Sequence, residues 1–168
     1  MAESVTAHYD LKLIAEHTVA LGLDDAADPT TEHDIGDVKG TLTSSSSVAV
    51  TKAWSDTGAL VAGAATIDLT ALDFANLPTA DWTGLKVKAI EISCPSTNSA
   101  GVGVAPGAAN PYDIWGRAAT DVFLLPGTAH LAFFANQLEN VDATHKTIDL
   151  SSADLDATYS IIMIAGGT

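Results

Sequence analysis

The chain has 168 residues, 47% apolar and 6% aromatic, and seven Lys and Arg face 21 Asp and Glu for a formal charge of −14. That length suits one domain, or one domain with an arm, and the apolar share excludes disorder throughout. The charge opposes phosphate backbones and anionic lipid, so no direct nucleic-acid partner and no membrane partner are expected.

The single cysteine, Cys94, excludes an internal disulfide and fits synthesis in a reducing cytoplasm. The opening MAESVTAHYD has no basic n-region and no apolar h-region, so no secretory leader is expected. No apolar run reaches the about 18 residues of a membrane-spanning helix.

Residues 1–45 read as an N-terminal arm or a set of peripheral strands. They hold three of the five histidines (His8, His17 and His33) and an acidic stretch from Asp24 through Asp25, Asp28, Glu32 and Asp34 to Asp37. Leu11, Leu13 and Ile14, then Val19, Leu21 and Leu23, partly alternate, over spans too short to separate strand from short helix. Pro29 and Gly36 mark turns. The run Thr41-Leu42-Thr43-Ser44-Ser45-Ser46-Ser47 reads either as a hinge or as a polar strand.

Residues 46–168 read as a β-sandwich body of short strands between turn residues. Val48 to Trp54 alternates, and Ser55-Asp56-Thr57-Gly58 reads as a turn. Ala65 to Leu72 gives a strand with Ile67 and Leu69 on one face; Asn76 to Pro78 and Asp81 to Gly84 connect it onward. Leu85 to Ile92 is the clearest strand, and apolar groups at both parities imply a central strand covered on both faces for part of its length. Gly101 to Val104, Val122 to Leu125, Leu131 to Ala135, Lys146 to Leu150 and Tyr159 to Ile164 complete the set. This spacing, with Pro-Gly and Gly-Ala turns, predicts an all-β antiparallel sandwich or jelly roll. Thr66-Ile67-Asp68-Leu69-Thr70 returns as Thr147-Ile148-Asp149-Leu150-Ser151. The echo suggests equivalent strands in two facing sheets, or convergence on a favourable strand sequence.

Candidate chemistry falls away residue by residue. Gly101-Val102-Gly103-Val104-Ala105-Pro106-Gly107 lacks the third glycine of a dinucleotide loop and the Lys-Ser/Thr of a phosphate loop, and Pro106 and Pro111 block a following helix. No Gly-x-Ser-x-Gly elbow exposes a serine. His130 enters an apolar strand and reads as structural, and His145 reads as turn surface. The acidic stretch is rich in hard-cation ligands but lacks the spacing of a calcium loop, and no His-x-x-x-His pair suggests zinc. Cys94, before Pro95, reads as buried and inert. No catalytic, cofactor-binding or metal residues are therefore assigned, and no cofactor is expected. Trp54, Trp82 and Trp115 each lie near a turn, where they either cap the core or anchor a subunit interface.

Ala53-Trp54-Ser55-Asp56-Thr57-Gly58-Ala59-Leu60 followed by Ala65-Thr66-Ile67-Asp68-Leu69 resembles small β-rich virion proteins of tailed bacteriophages. So does the order of the later blocks: Lys86-Val87-Lys88-Ala89-Ile90, Gly107-Ala108-Ala109-Asn110-Pro111, Leu125-Pro126-Gly127 and a final Ile161 to Gly167 strand. The resemblance covers residues 48–168 and consists of pattern rather than a catalytic signature. It implies a non-enzymatic, oligomeric β-sandwich, some members of this class being capsid decoration or cement proteins. The expectation is thus a homotrimer on the outer capsid surface of the virion, bound between major capsid protein subunits. The alternative is a head-fibre, tail or host-adsorption module that binds glycans.

Overall fold

Every regular element among the described residues is a β-strand. The structure, a computed structural model, describes residues 5–11, 14–18, 30–34, 38–74, 77–115 and 122–167. The chain divides into two compact units, Ala7–Thr41 and a body of Leu42–Thr168 together with Met1–Thr6.

The first unit carries β1 (Ala7–Leu11), β2 (Ile14–Thr18), β3 (Thr30–Asp34) and β4 (Val38–Leu42). β1 joins β4, and β2 pairs antiparallel with β3 in a register that sets Glu16 directly opposite Glu32. Of the partly alternating positions, Leu11 ends β1 and Ile14 opens β2, both strand; Leu13, Val19, Leu21 and Leu23 lie outside the described residues. Of the Thr41–Ser47 run, Thr41 and Leu42 end strand β4, and Thr43 and Ser46 then close a tight turn through Thr43 N–H to Ser46 Oγ (2.9 Å) and Ser46 N–H to the Thr43 carbonyl (3.2 Å). Short hydroxyl side chains favour such local bonds over a ladder.

The body contains β5 (Lys52–Ala59), β6 (Ala64–Asp68), β7 (Leu72–Phe74), β8 (Leu77–Ala80), β9 (Lys86–Cys94), β10 (Val102–Pro106), β11 (Val122–Leu124), β12 (Thr128–Phe133), β13 (Thr147–Ser151) and β14 (Thr158–Gly166). Two four-stranded antiparallel sheets, β12-β9-β14-β5 and β11-β10-β13-β6, pack face to face as a sandwich. The pairing is nested: β5 with β14, β6 with β13, β9 with β12, β10 with β11. The β9–β14 and β10–β13 ladders join the nested pairs into sheets. Trp54, Ile90, Ile92, Ile161 and Met163 of one sheet meet Ile67, Val102, Val104, Leu124, Ile148 and Leu150 of the other, all buried. The small hairpin β7–β8 lies beside edge strand β5, whose Trp54 Nε1 donates to the Asp73 carbonyl at 2.7 Å.

Several sequence expectations change: the single strand read over Ala65 to Leu72 divides into β6 and β7, and of the connection read over Asn76 to Pro78, Leu77 and Pro78 lie in β8. Ser55 to Gly58 is strand, not turn, because Asp56 accepts the Tyr159 hydroxyl (2.9 Å) and Gly58 passes under the Tyr159 ring. The chain turns later, at Ala62 (φ 53°) and Gly63 (φ 78°), where Val61 and Ala64 exchange backbone bonds. That is the positive-φ pair of a two-residue hairpin turn.

The mixed parity of β9 has a different cause from cover on both faces. Ala165 pairs with Val87 and Ile164 with Ala89, so Lys88 is the extra residue of a β-bulge. Val87 points inward before the bulge; Ile90, Ile92 and Cys94 point inward after it, while Glu91 is exposed. The strand is central, as its apolar content implies.

The two echo strands lie side by side in one sheet, not in facing sheets. In the antiparallel register Ile67 meets Ile148 and Thr66 meets Asp149. Running the same Thr-Ile-Asp string in opposite directions brings a Thr hydroxyl to an Asp carboxylate, and Thr66 Oγ1 donates to Asp149 Oδ1 at 2.6 Å.

Candidate functional site

The residues with latent chemistry are taken up by the fold. Gly101 to Gly107 runs through β10 rather than forming a loop. A Cβ at Gly101 would strike the Phe123 ring at 2.6 Å, and one at Gly107 would strike the Thr147 side chain. These glycines admit neighbouring chain segments, so they have a packing reason where a phosphate loop would have needed a ligand.

Cys94 is buried; its thiol accepts from Asn98 Nδ2 at 3.3 Å. Asn98 also pairs with both backbone groups of Thr158, donating to its carbonyl (2.7 Å) and accepting its N–H (3.0 Å). The side-chain amide thus mimics one more ladder residue at the start of β14.

His130 sits on β12, half-buried, in an edge-to-face contact with Trp115 whose ring centroids are 5.3 Å apart. Phe134 makes a second such contact with Trp115 at 6.0 Å, and Trp115 Nε1 donates to the Val104 carbonyl. Trp54 and Trp82 are core residues, while Trp115 is half-buried. His145 lies in an exposed turn organised by Asp142, whose carboxylate accepts from Thr144 N–H and hydroxyl and from His145 N–H. Those donors hold the Asp142 carboxyl far below the usual carboxylate range.

Of the acidic stretch, Glu32, His33 and Asp34 fall on β3; Asp24, Asp25, Asp28 and Asp37 lie outside the described residues. No group of three or more potential metal ligands is assembled among the described residues.

Two buried polar groups escape sequence reasoning. Tyr112, in the loop after β10, accepts Val87 N–H (3.0 Å) and donates to the Glu139 carbonyl (2.9 Å). Burial pushes its phenol up to about 12. Lys88 at the bulge is fully buried, and its ammonium donates to Asn136 Oδ1. Lys86 donates to the Asn136 carbonyl at 3.3 Å. Burial first, and the like charge of Lys86 second, hold the Lys88 ammonium below its ordinary range. Nothing in the local sequence distinguishes Lys88 from an outward strand lysine, because the bulge that turns it in is fixed by β14.

Several large apolar side chains stay exposed among the described residues. Phe123 (63% exposed), Leu125, Leu131, Leu155, Val61 and Ile162 (50% exposed) stand out from the body. No protein-family model matches the chain, and no curated protein matches it.

Proposed function

We propose that the chain is a virion structural protein, a capsid decoration (cement) protein that stabilises a phage head by binding between major capsid protein subunits. The observation that carries this reading is the nested pairing of the eight strands in the two sandwich sheets. That order is the one a jelly roll produces when a long antiparallel ribbon rolls into two sheets, and jelly rolls recur in viral capsid and lectin domains. The step from fold to role is an analogy, and the phage-like strings along residues 48–168 give it direction. The charge of −14 suits the outside of a particle whose interior holds DNA.

The mechanism is thermodynamic linkage: a protein that binds only the assembled lattice stabilises that lattice by mass action. No catalytic step and no cofactor enter. The partners are the major capsid protein and further copies of the chain, as a homotrimer. The test is a thermal melt of empty expanded capsids with and without purified protein. The melting temperature should rise with protein concentration and level off at saturation; an unchanged melt together with no co-sedimentation refutes the reading.

A second reading, a glycan-binding adsorption module, draws on the half-buried Trp115–His130–Phe134 cluster, since aromatic faces stack on sugars. A glycan array separates the two readings: sugar binding without capsid binding selects the second.

A further inference from the structure

Lys88 is a nucleophile buried without a counter-charge. Its side chain is fully buried, and among the described residues it meets no carboxylate; its polar contact is Asn136 Oδ1 at 2.5 Å. A buried charge left unpaired is costly, so the site favours the neutral amine, and the Lys86 ammonium nearby pushes the same way. The backbone holds the two residues together. Lys88 is the extra residue of the β9 bulge, and its carbonyl accepts Phe134 N–H at 2.8 Å. A turn closed by Gln137 N–H to the Phe134 carbonyl (3.1 Å) then presents Asn136. With a C=O bond of about 1.23 Å, Asn136 Cγ lies within about 3.7 Å of Lys88 Nζ, close to the ~3–3.5 Å of a near-attack arrangement. Asn136 Nδ2 donates elsewhere, to the carbonyl of exposed Ser47 at 3.3 Å.

We propose that Lys88 and Asn136 join in an intramolecular amide (isopeptide) bond. Lys88 Nζ, as the neutral amine, attacks Asn136 Cγ; the Nζ–Cγ bond forms and the Cγ–Nδ2 bond breaks. One proton of Nζ passes to Nδ2, which leaves as ammonia on the side of exposed Ser47. Nothing is oxidised or reduced, and no co-reactant is needed. The Lys86 ammonium, which donates to the Asn136 backbone carbonyl at 3.3 Å, is at hand to relay that proton. The product removes the buried charge for good. It spans 48 positions of the chain and ties central strand β9 to the segment after edge strand β12. Such a link constrains the unfolded chain as a disulfide does, and the single cysteine offers no internal disulfide. The bond goes beyond the decoration reading and does not depend on it.

The test is the intact mass of the purified full chain under denaturing conditions, followed by a tryptic map. The parent should be lighter than its sequence mass by one ammonia, about 17 Da, and should yield a branched peptide that joins Lys88 to Asn136, with no cleavage after Lys88. Lys88→Met and Asn136→Ala chains should each run at their full sequence mass. A parent at full mass would overturn the inference. So would a loss of ammonia that persists in Lys88→Met, which marks a cyclic imide at an asparagine instead. Should either variant fail to fold, the parent's own map decides: the branched peptide supports the bond, and ordinary cleavage after Lys88 overturns it.

Discussion

Replacing Tyr112 by Phe removes one oxygen and opens two bonds. The ring stays, so the apolar packing of a side chain that is 1% exposed is preserved. The Val87 N–H, in the strand next to the bulge, loses its 3.0 Å acceptor in a buried setting. An unsatisfied buried N–H costs about 1–3 kcal/mol, and loss of the 2.9 Å bond to the Glu139 carbonyl adds about 0.5–1.5 kcal/mol. The expected destabilisation is about 2–4 kcal/mol, a fall in melting temperature on the order of 10 °C for a chain of this size. The phenol also links stability to pH. It sits near 12 in the fold against an ordinary 10.0, so the folded state holds this proton more tightly than the unfolded chain. Its contribution is complete below pH 10 and disappears as pH rises toward 12. Tyr159, also near 12 through burial and the Asp56 carboxylate, behaves alike, so Tyr112→Phe should remove only part of the alkaline loss. Urea titrations at pH 7 and at intervals from pH 9 to 12 measure both effects. A change below about 0.5 kcal/mol at pH 7, or an unaltered alkaline limb, would refute the account of the Val87 bond.

Ile148→Ala, at a fully buried position where the two sheets meet, should cost about 2–5 kcal/mol by denaturant titration with little change in slope. Gly58→Ala places a Cβ 2.7 Å from Tyr159 Oη and 2.9 Å from its Cζ, so it should lower stability by about 1–3 kcal/mol in a thermal melt. Burial works to raise the Asp68 pKa, but the Lys146 ammonium at 2.7 Å and the Thr70 hydroxyl and amide outweigh it and hold the carboxyl below its ordinary 3.8. Its contribution is therefore present above pH 3.8 and lost as pH falls below it, and an Asp68→Asn chain should show a shallower acid limb in a pH-dependent melt. In an Asn136→Ala chain, which cannot form the amide, Lys88→Met keeps the length of a buried side chain and removes a charge that burial disfavours; a melting temperature at pH 7 equal to or above that of Asn136→Ala alone is expected, and a clear fall would show that the lysine's packing outweighs the desolvation. Deleting residues 2–40 should abolish capsid co-sedimentation if the N-terminal unit makes the attachment, and undiminished binding would assign attachment to the body.

The β class and the positions of several strands were legible because alternation and turn residues act locally. Lys146 to Leu150 and Tyr159 to Ile164 correspond to β13 and β14 within two residues at each end. Local signals also misled where a long-range partner decided the outcome. Ser55-Asp56-Thr57-Gly58 has turn composition, yet Tyr159, about a hundred positions away, holds it extended through Asp56. The parity of β9 could not reveal the bulge at Lys88, since a bulge is a mismatch between two strands and belongs to neither alone. The Thr-Ile-Asp echo was visible, but only the fold set its two copies side by side. By itself the sequence determined the secondary-structure class, the acidic character and the lack of a familiar catalytic spacing, all of which depend on composition and near neighbours. The tertiary structure alone decided which strands pair and which polar groups are buried. Those properties arise from contacts between residues far apart along the chain, and no local pattern carries them.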